Sequence, residues 1–507
     1  MSSHKAVAAR RLLREQSGAV PRFHSLLLLL ACVSATFAAP LQIRIATFNS
    51  SLNRTSSGQL VTDLSVTTNN QAKRIAEIIQ RVQPDILLIN EFDYDAANPT
   101  VALNLFHNNY LAVSQGGQAA LSYPYRYVAP SNTGLPSGFD LDNNGSVGGA
   151  VGSQNYGNDC FGFGIFPGQY SFAVYSKYPI QTPGIRSFQL FKWKDMPGNA
   201  VPPGFYTTAE LNVFRLSSKN HVDLPIEVKP GHLLHLLASH PTPPAFDGAE
   251  DRNGRRNHDE IRLWADYIGN AQYLYDDAGV FGGLASGQRF VILGDLNADP
   301  LDGDSYLGAI NQLRNHALIN AAANPSSAGG VQQGPAQGGV NLSQVGNPAY
   351  DTSDFYDGSG GAGNLRVDHV LPSKLGFGLL GSGVFWPASM DTALYALLFL
   401  TASQTQGNQT TDHRMVWVDV AVTPIVSQAV RGLAAAVQGA DVVLTWNTQS
   451  GVSYKVQTSS PDLATWADAP GLGIVLDAGT QTATARDAGA AGGARVFYRV
   501  VCTLEAP

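Results

Sequence analysis

Residues 290–300 read Phe-Val-Ile-Leu-Gly-Asp-Leu-Asn-Ala-Asp-Pro, an apolar run that ends in a turn rich in carboxylate and amide groups. The four apolar residues predict a strand buried on both faces, as in the parallel or mixed sheets of layered α/β proteins. A carboxylate at the edge of a core is costly unless a cation or hydrogen-bond donors meet it. Asp295 and Asn297 therefore indicate a metal site or a polar network, although an Asx turn that only closes a strand has the same composition.

An apolar run that ends in a polar group recurs along the chain, and each recurrence is weak by itself. The runs at 43–48 and 85–90 lead into an amide and a carboxylate, the run at 233–239 leads into a histidine, and two later strands carry Asp or Asp-His. The polar residues at these positions are Asn49, Glu91, His240, Asp368, Asp412 and His413. Their order along the chain, together with their chemistry, indicates a single site.

These motifs resemble those of the endonuclease/exonuclease/phosphatase superfamily, the DNase I-like group. The resemblance covers residues 41–424 and includes Ser-Lys-Tyr-Pro-Ile at 176–180 as well as the segments above. It implies a four-layer α/β sandwich, in which two mixed sheets pack face to face with helices outside. It also implies metal-dependent cleavage of phosphate esters at one end of the sheets.

The resemblance implies a role for each residue of the site. Glu91 would be the principal Mg²⁺ ligand, with Mn²⁺ as the alternative ion, and Asn49 and Asp412 would complete the metal shell. Asp295 would orient and deprotonate the attacking water, and Asn297 would donate a hydrogen bond to a phosphoryl oxygen.

The two site histidines receive different roles from the same resemblance. His413 would contact the phosphate, and Asp368 would fix its tautomer. His240 corresponds to the second histidine of the DNase I-type members, which acts as general acid toward the leaving group. By contrast, we interpret His235 and His369 as core residues.

The N-terminal segment indicates export. Four arginines precede the apolar run Leu26–Leu30, and small residues continue to Ala38, which predicts a signal peptide over residues 1–38. The protein is then secreted or periplasmic. In the alternative, Leu29–Cys32 is a lipoprotein motif, and Cys32 carries a lipid anchor.

Charge and cysteine content limit the classes of function. The chain has a formal net charge of -7, and residues 1–38 hold five basic residues and one acidic one, so the exported chain carries -11. Such a surface disfavours tight nonspecific binding to DNA, although a local basic patch is compatible with it. Cys160 and Cys502 are either a bridge between domains or two separate thiols.

Two polar segments suggest further binding sites. Asp140, Asp142 and Asn144 begin like a calcium loop, but Val151 replaces the closing Glu, so a plain Asx-turn loop is the alternative to Ca²⁺ binding. Another segment places three arginines before a predicted helix at 261–268, capped by Asn257 or Asp259. Those arginines would hold a second phosphate or would pair with nearby carboxylates, and they are Arg252, Arg255 and Arg256.

Regular structure outside the site is also legible. Apolar residues at helical spacing predict a helix over 70–83 that leads into the Glu91 strand. Residues 324–364, rich in Gly, Gln, Ser and Asn, predict a long loop near Asp368. Short β-type runs over 430–507 resemble a fibronectin type III or immunoglobulin-like sandwich, which would bind carbohydrate or a cell surface or would serve as a spacer.

The sequence therefore predicts a secreted, divalent-metal-dependent phosphoesterase of phosphodiester bonds, either an endonuclease-type enzyme or a general phosphodiesterase. A sphingomyelinase-like or inositol-phosphate-type enzyme is the alternative within the same class. A secreted adhesion protein with an idle site is the alternative from another class. The partner expected is the phosphodiester substrate, whether nucleic acid, phospholipid or small phosphoester, and no stable protein partner is predicted.

Overall fold

A computed structural model describes residues 41–423, 425, 433–448, 453–459, 466–469, 471–477, 482–488, 490 and 497–503. The predicted signal peptide with Cys32, and the side chain of Cys502, lie outside the described residues. The described chain divides into two compact units, one up to residue 425 and the other from residue 433 onward.

Two mixed sheets form the centre of the first unit. One has the strand order β12-β13-β1-β2-β4-β3, and the other has the order β11-β8-β7-β6-β5. Only β1–β2 and β7–β8 are parallel pairs among the described strands of these two sheets. The strands are β1 (Leu41–Leu52), β2 (Ile86–Phe92), β3 (Tyr125–Val128), β4 (Phe172–Ser176), β5 (Arg186–Ser187), β6 (His221–Lys229), β7 (His232–Ser239), β8 (Phe290–Asp295), β9 (Ser353–Asp354), β10 (Asn364–Leu365), β11 (Asp368–Pro372), β12 (Phe377–Val384) and β13 (Val416–Val422), of which β9 and β10 pair separately.

Helices accompany the sheets in the first unit, and residues of several of them pack against the outer faces of the sheets. They are α1 (Gln59–Ser65), α2 (Asn70–Val82), α3 (Val101–Phe106), α4 (Gln154–Asn158), α5 (Thr208–Val213), α6 (Arg252–Ile268), α7 (Asn311–Arg314), α8 (Ala328–Gln337) and α9 (Thr392–Tyr395). In the described part of the chain, no helix combines the length and apolar character needed to cross a membrane.

Alternation along the strands builds four layers. In β8, Val291 and Leu293 face the core between the two sheets, while Phe290 and Ile292 face the helix layer that contains Trp264 of α6. On the other sheet, residues of β1 and β2 alternate in the same way between the central core and the layer of α2 and α3. The predicted four-layer sandwich is confirmed, and the buried strands β2 and β8 carry apolar residues on both faces.

Helix α2 begins at the predicted residue, Asn70, and ends at Val82, one residue before the predicted end, whereas α6 differs more from its prediction. The start predicted at Ile261 is wrong, because the helix begins at Arg252, and neither Asn257 nor Asp259 is its N-cap. Asp251 holds the N-cap position in the left-handed region, at φ 54°, without a capping hydrogen bond. Both predicted caps are instead buried inside the helix, where their side chains bond to other segments.

The loop predicted over 324–364 is wrong in part, because α8 lies within it. Ser327 caps this helix by accepting a hydrogen bond from Gly330 N at 3.0 Å. A Cβ at Gly329 would lie 2.3 Å from the ring of Trp386. The glycines that suggest a loop are therefore needed for close packing of a helix.

The described part of the second unit contains two β sheets. One sheet has the order β14-β15-β19-β18 and the other has the order β17-β16-β20. Buried residues of both sheets share one core, which includes Trp446, Val456 and Tyr498. The strands are β14 (Ala434–Gln438), β15 (Asp441–Asn447), β16 (Ser453–Ser459), β17 (Trp466–Asp468), β18 (Ile474–Asp477), β19 (Thr482–Asp487) and β20 (Phe497–Thr503). Its assignment to the fibronectin type III or immunoglobulin-like class stays a prediction.

Candidate active site

The polar residues selected from the sequence lie together at one edge of the two sheets. Asn49 and Glu91 lie at neighbouring positions near the ends of the parallel strands β1 and β2. Asp295 ends β8 and is in register with Asp368 at the start of β11. Because the sheets pack face to face, these strand ends bring side chains from both sheets to one point.

Asp295 is the centre of this cluster. Its Oδ2 atom accepts a hydrogen bond from Asn49 Nδ2 at 3.0 Å and lies 3.3 Å from His240 Nε2 and 3.6 Å from His413 Nε2. Burial alone would raise the pKa of Asp295, but His413 and the hydrogen bond from His240 outweigh it and hold this pKa below its usual value. Asp295 is therefore an ionised hydrogen-bond acceptor at neutral pH.

His413 lies between two carboxylates. Its Nδ1 lies 2.8 Å from Asp368 Oδ2, as the predicted tautomer-fixing contact requires, and Thr352 Oγ1 donates to the same oxygen at 2.9 Å. Burial opposes the charged imidazole, but Asp368 and Asp295 outweigh it and raise the pKa of His413 well above its usual value. The arrangement keeps a cationic imidazole at the site.

His240 differs from His413. An ionised Asp295 accepts hydrogen bonds only, so Nε2 of His240 carries the proton, and Nδ1 has no partner in the described part of the chain. Burial, followed by the charge of Lys219, lowers the pKa of His240 to about 4. The imidazole is therefore neutral at neutral pH, and no carboxylate supports its protonation through Nδ1.

One group of residues could supply oxygen ligands to a metal ion, and it consists of Glu91, Asn49 and Asp412. Asn49 Nδ2 donates to Glu91 Oε1 at 3.1 Å, and both Glu91 and Asp412 line the cavity described below. Burial, and then the charge of Asp412, raises the pKa of Glu91 to about 7. Neighbouring carboxylates whose negative charges repel each other fit a hard divalent cation, because such an ion takes oxygen ligands.

Another group of potential metal ligands is closer packed. Ligand atoms of Asp295, Asp368 and His413 lie within 4.8 Å of one another. The hydrogen bond between His413 and Asp368 already uses one ligand atom of each. We therefore interpret this group as a proton network beside the metal ligands.

Backbone strain is concentrated at the same edge of the sheets. Ser51, Glu91, Tyr170 and Asn297 all adopt positive φ angles, with values of 48°, 58°, 60° and 51°. Such conformations are costly for residues other than glycine and persist where the surroundings impose them, often at functional sites. A Cβ at Gly294 would lie 2.0 Å from the carbonyl oxygen of Ser239, so glycine is needed to bring Asp295 close to the end of β7.

The cluster opens into a cavity of about 860 Å³. The site residues that line this cavity are Glu91, His240, Asp295, Asn297, Asp412 and His413. Aromatic rings also make up much of the cavity lining. Three of these rings are also exposed to solvent, namely Phe163, Phe246 and Tyr356. Cys160 lines the cavity as a free thiol whose pKa is raised to about 12 by burial, so it is not a nucleophile at neutral pH.

The three arginines do not form a free phosphate clamp. Arg252 lines the cavity but pairs with Glu250. Arg255 lies over the ring of Tyr306 and donates to the carbonyl oxygen of Glu250. Arg256 is buried and donates to the carbonyl oxygens of Phe161, Arg215 and Leu216. Their role in binding phosphate stays a prediction, and these contacts argue against it.

The Asp140 loop forms a compact acidic group. Oxygens of Asp140, Asp142 and Asp159 lie within 4.8 Å of one another, and Asp159 was not selected from the sequence. The backbone N–H of Asn144 donates to both Asp140 and Asp142, as in an Asx turn. The loop thus has the features of both alternatives, and Ca²⁺ binding there stays a prediction.

His235 and His369 have the contacts of core residues. His235 Nδ1 lies 2.9 Å from Asp223, and His369 Nε2 lies 3.0 Å from the carbonyl oxygen of Ala298. Both contacts bind the rings to neighbouring segments rather than to the cavity, and His369 is fully buried. These contacts support our interpretation of the two residues.

Three buried polar residues near the site were not selected from the sequence as site residues, and one of them, Asn257, was predicted only as a helix cap. Asn257 donates to the carbonyl oxygens of Thr242 and Leu296, which follow β7 and β8. Glu260 accepts from Ser218 N and Thr242 N at 2.6 Å each. Lys219 lines the cavity beside His240. A signal for the first two exists, because both are polar residues at the apolar spacing of α6, whereas Lys219 has none.

Comparison with known proteins agrees with the geometry. The sequence matches the Endonuclease/Exonuclease/phosphatase family over residues 46–413, and the chain belongs to that family. No curated protein matches the chain. A solved structure, the endonuclease/exonuclease/phosphatase from Beutenbergia cavernae DSM 12333, is 14% identical with a TM-score of 0.40, over 91% of this chain and 100% of that one. The family assignment rests on the family match, which spans every predicted catalytic and metal-binding residue.

Proposed function

We propose that this protein is an exported phosphoesterase that uses a divalent metal ion, Mg²⁺ or Mn²⁺, to hydrolyse phosphodiester bonds. The family to which it belongs consists of hydrolases that act on phosphate esters. One observation carries the proposal: a single carboxylate oxygen, Asp295 Oδ2, contacts Asn49, His240 and His413, which come from three other segments of the sheets.

Each residue of the site has a separate role in the reaction. Water attacks phosphorus and gives up a proton to solvent, the new P–O bond forms as the bond to the leaving oxygen breaks, and the leaving oxygen takes up a proton. Asp295 accepts a hydrogen bond from the attacking water, and because its pKa is held low, it orients that water more than it stores its proton. His413, cationic and fixed by Asp368, faces the phosphate and offsets its negative charge.

A metal ion would be held by Glu91, Asn49 and Asp412. When bound, it would supply positive charge to the phosphate and to the leaving oxygen. Asn297 offers its side-chain amide to a phosphoryl oxygen. His240 stays the proposed general acid, a role that requires the substrate to raise its pKa above the value of about 4 that burial gives it.

A specific observation favours a small phosphoester over duplex DNA as the substrate. The cavity is lined by aromatic rings, and its acidic wall residues Asp302 and Asp304 disfavour further phosphates. The arginines nearby are already paired or bonded to carbonyl oxygens. A non-polymeric phosphodiester with one apolar substituent is therefore the second candidate, beside the nuclease.

Hydrolysis of a substrate panel tests the proposal. The purified full chain is incubated with plasmid DNA, RNA, sphingomyelin and bis-p-nitrophenyl phosphate, with Mg²⁺ and with EDTA. Metal-dependent cleavage of any one supports the proposal, and the preferred substrate separates nuclease from small-molecule phosphodiesterase. If every substrate survives, the protein is an idle scaffold and the proposal is overturned.

A further inference from the structure

Lys219 is a buried cation that the predicted mechanism does not use. It lies immediately before β6, is only 6% exposed, and forms part of the cavity wall beside His240. Its Nζ donates to the carbonyl oxygen of Pro241 at 3.2 Å, and no carboxylate of the described residues forms an ion pair with it. An ammonium has three N–H groups and is costly to bury with one neutral acceptor.

The position of Lys219 is fixed by its neighbours. One carboxylate, that of Glu260, accepts from the backbone of Ser218 with one oxygen and from the backbone of Thr242 with the other. These two residues flank Lys219 and Pro241. The lysine and the carbonyl group that it contacts are therefore held together by one buried clamp on α6.

The same carbonyl oxygen receives a second donor from the active site. Asn297 Nδ2 donates to Pro241 O at 3.1 Å. The ammonium of Lys219 and the amide of Asn297 therefore lie side by side, and both residues line the cavity together with His240. Pro241 O uses one N–H of each group, so the ammonium has two further N–H groups and the amide has one, and adjacent donors of this kind can stabilise a developing oxyanion.

Burial lowers the pKa of Lys219, and the charges of Glu260, Asp295 and Glu91 oppose this effect. Negative charge is present around the ammonium, but in the described chain no carboxylate reaches it as an ion pair. A bound anion would supply the missing partner.

We propose that Lys219 contacts the substrate, and that its ammonium donates to a non-bridging oxygen of the phosphate together with the amide of Asn297. This rests on the proposed function of the same site. Negative charge grows on the non-bridging oxygens as the P–O bond to water forms and the bond to the leaving oxygen breaks. Lys219 donates hydrogen bonds to those oxygens as their charge grows, and it transfers no proton.

Substitution of the lysine tests the proposal. For Lys219→Met we expect kcat/KM for bis-p-nitrophenyl phosphate to fall roughly 100-fold, the usual cost of one oxyanion donor. Inorganic phosphate, titrated calorimetrically in the presence of Mg²⁺, should bind about tenfold more weakly. Lys374→Met is the matched control, because Lys374 is exposed and does not line the cavity, and it should change neither quantity.

Chemical rescue separates contact with the phosphate from a structural role. Methylammonium should restore part of the activity of Lys219→Ala, whereas tetramethylammonium, which has no N–H group, should not. If Lys219→Met folds and retains both kcat/KM and phosphate affinity within about twofold of the parent, the proposal is overturned.

Folding failure is also decisive. If the Met and Ala variants do not fold, Lys219→Arg is titrated with phosphate, because the longer, planar guanidinium keeps the charge but moves the N–H donors. A changed phosphate affinity then supports contact with the anion, and an unchanged affinity shows a structural cation and overturns the proposal. If the unaltered chain hydrolyses nothing, the proposed function fails, but the phosphate titration needs no turnover and still tests Lys219.

Discussion

The Nδ1 atom of His413 lies 2.8 Å from Oδ2 of Asp368, whereas Nδ1 of His240 has no partner in the described chain. Both imidazoles approach the same oxygen of Asp295 through Nε2. Because only His413 has a supporting carboxylate, the two histidines are not equivalent. Of the two imidazoles, that of His413 is cationic and that of His240 is neutral at neutral pH.

Asp368→Asn tests the support given to His413. An amide cannot stabilise the imidazolium as the carboxylate does, so we expect kcat to fall roughly 10- to 100-fold, and His413→Ala to cost about 1,000-fold. The measurement is the pH dependence of kcat, whose basic limb should move to lower pH in the Asn variant, because loss of the Asp368 charge lowers the pKa of His413. Asp223→Asn is the matched control, since Asp223 pairs with His235 away from the cavity. An equal loss of kcat in both variants would contradict this account.

Glu91→Gln tests the metal site without relying on activity. Removing one carboxylate charge from an oxygen-ligand site should weaken Mn²⁺ binding at least about tenfold. Electron paramagnetic resonance of free Mn²⁺ measures this affinity directly. Glu77→Gln, which alters an ion pair with Arg81 on α2, should leave the affinity unchanged. Equal Mn²⁺ affinity in both variants would exclude Glu91 as a ligand.

Asn257→Ala tests the hydrogen bonds by which Asn257 joins the segments that follow β7 and β8. The substitution leaves the carbonyl oxygens of Thr242 and Leu296 without this donor, so we expect the free energy of unfolding to fall by about 1–3 kcal/mol. Because those loops carry His240 and Asp295, kcat should fall as well. Urea unfolding and steady-state kinetics are compared with Asn212→Ala, an exposed position on α5. Unchanged kcat would show that the hydrogen bonds of Asn257 do not position the site.

Asp351→Asn tests a buried acid outside the catalytic cluster. Burial, and then the charges of Asp299 and Asp302, raises the pKa of Asp351 to about 8. The folded chain thus binds this proton more tightly than the unfolded chain, whose pKa is about 4, and this group lowers stability as pH rises between these values. The Asn variant avoids that loss, so its gain in unfolding free energy should be larger at pH 8 than at pH 5, by roughly 3–4 kcal/mol. An equal gain at both pH values would contradict the raised pKa.

Sequence predicts the catalytic core well because each of its residues lies at or near one end of a strand. The run at 290–293 can bury its apolar residues only between two layers, so the polar groups that come after it lie at a sheet edge. Asn49, Glu91 and His240 lie near or just beyond the carboxyl ends of their strands in the same way, and Asp295 and Asp368 are register partners. Local pattern and global fold agree at these positions.

Other features depend on contacts that no local pattern reveals. The start of α6 at Arg252 depends on a left-handed Asp251, and α8 depends on glycines packed against Trp386 and Pro348. The clamp of Glu260 joins residues 218 and 242, which lie 42 and 18 positions away. Such partners become visible only once the sheets have assembled.

The most direct test of the central claim is hydrolysis of bis-p-nitrophenyl phosphate in ¹⁸O-labelled water by the unaltered chain and by Asp295→Asn. We expect Mg²⁺-dependent turnover that EDTA abolishes, one ¹⁸O atom in the p-nitrophenyl phosphate product, and a loss of about 1,000-fold or more in the variant. Label in the p-nitrophenol instead, turnover that survives EDTA, or equal rates in the two proteins would contradict metal-dependent attack of water on phosphorus at the Asp295 site.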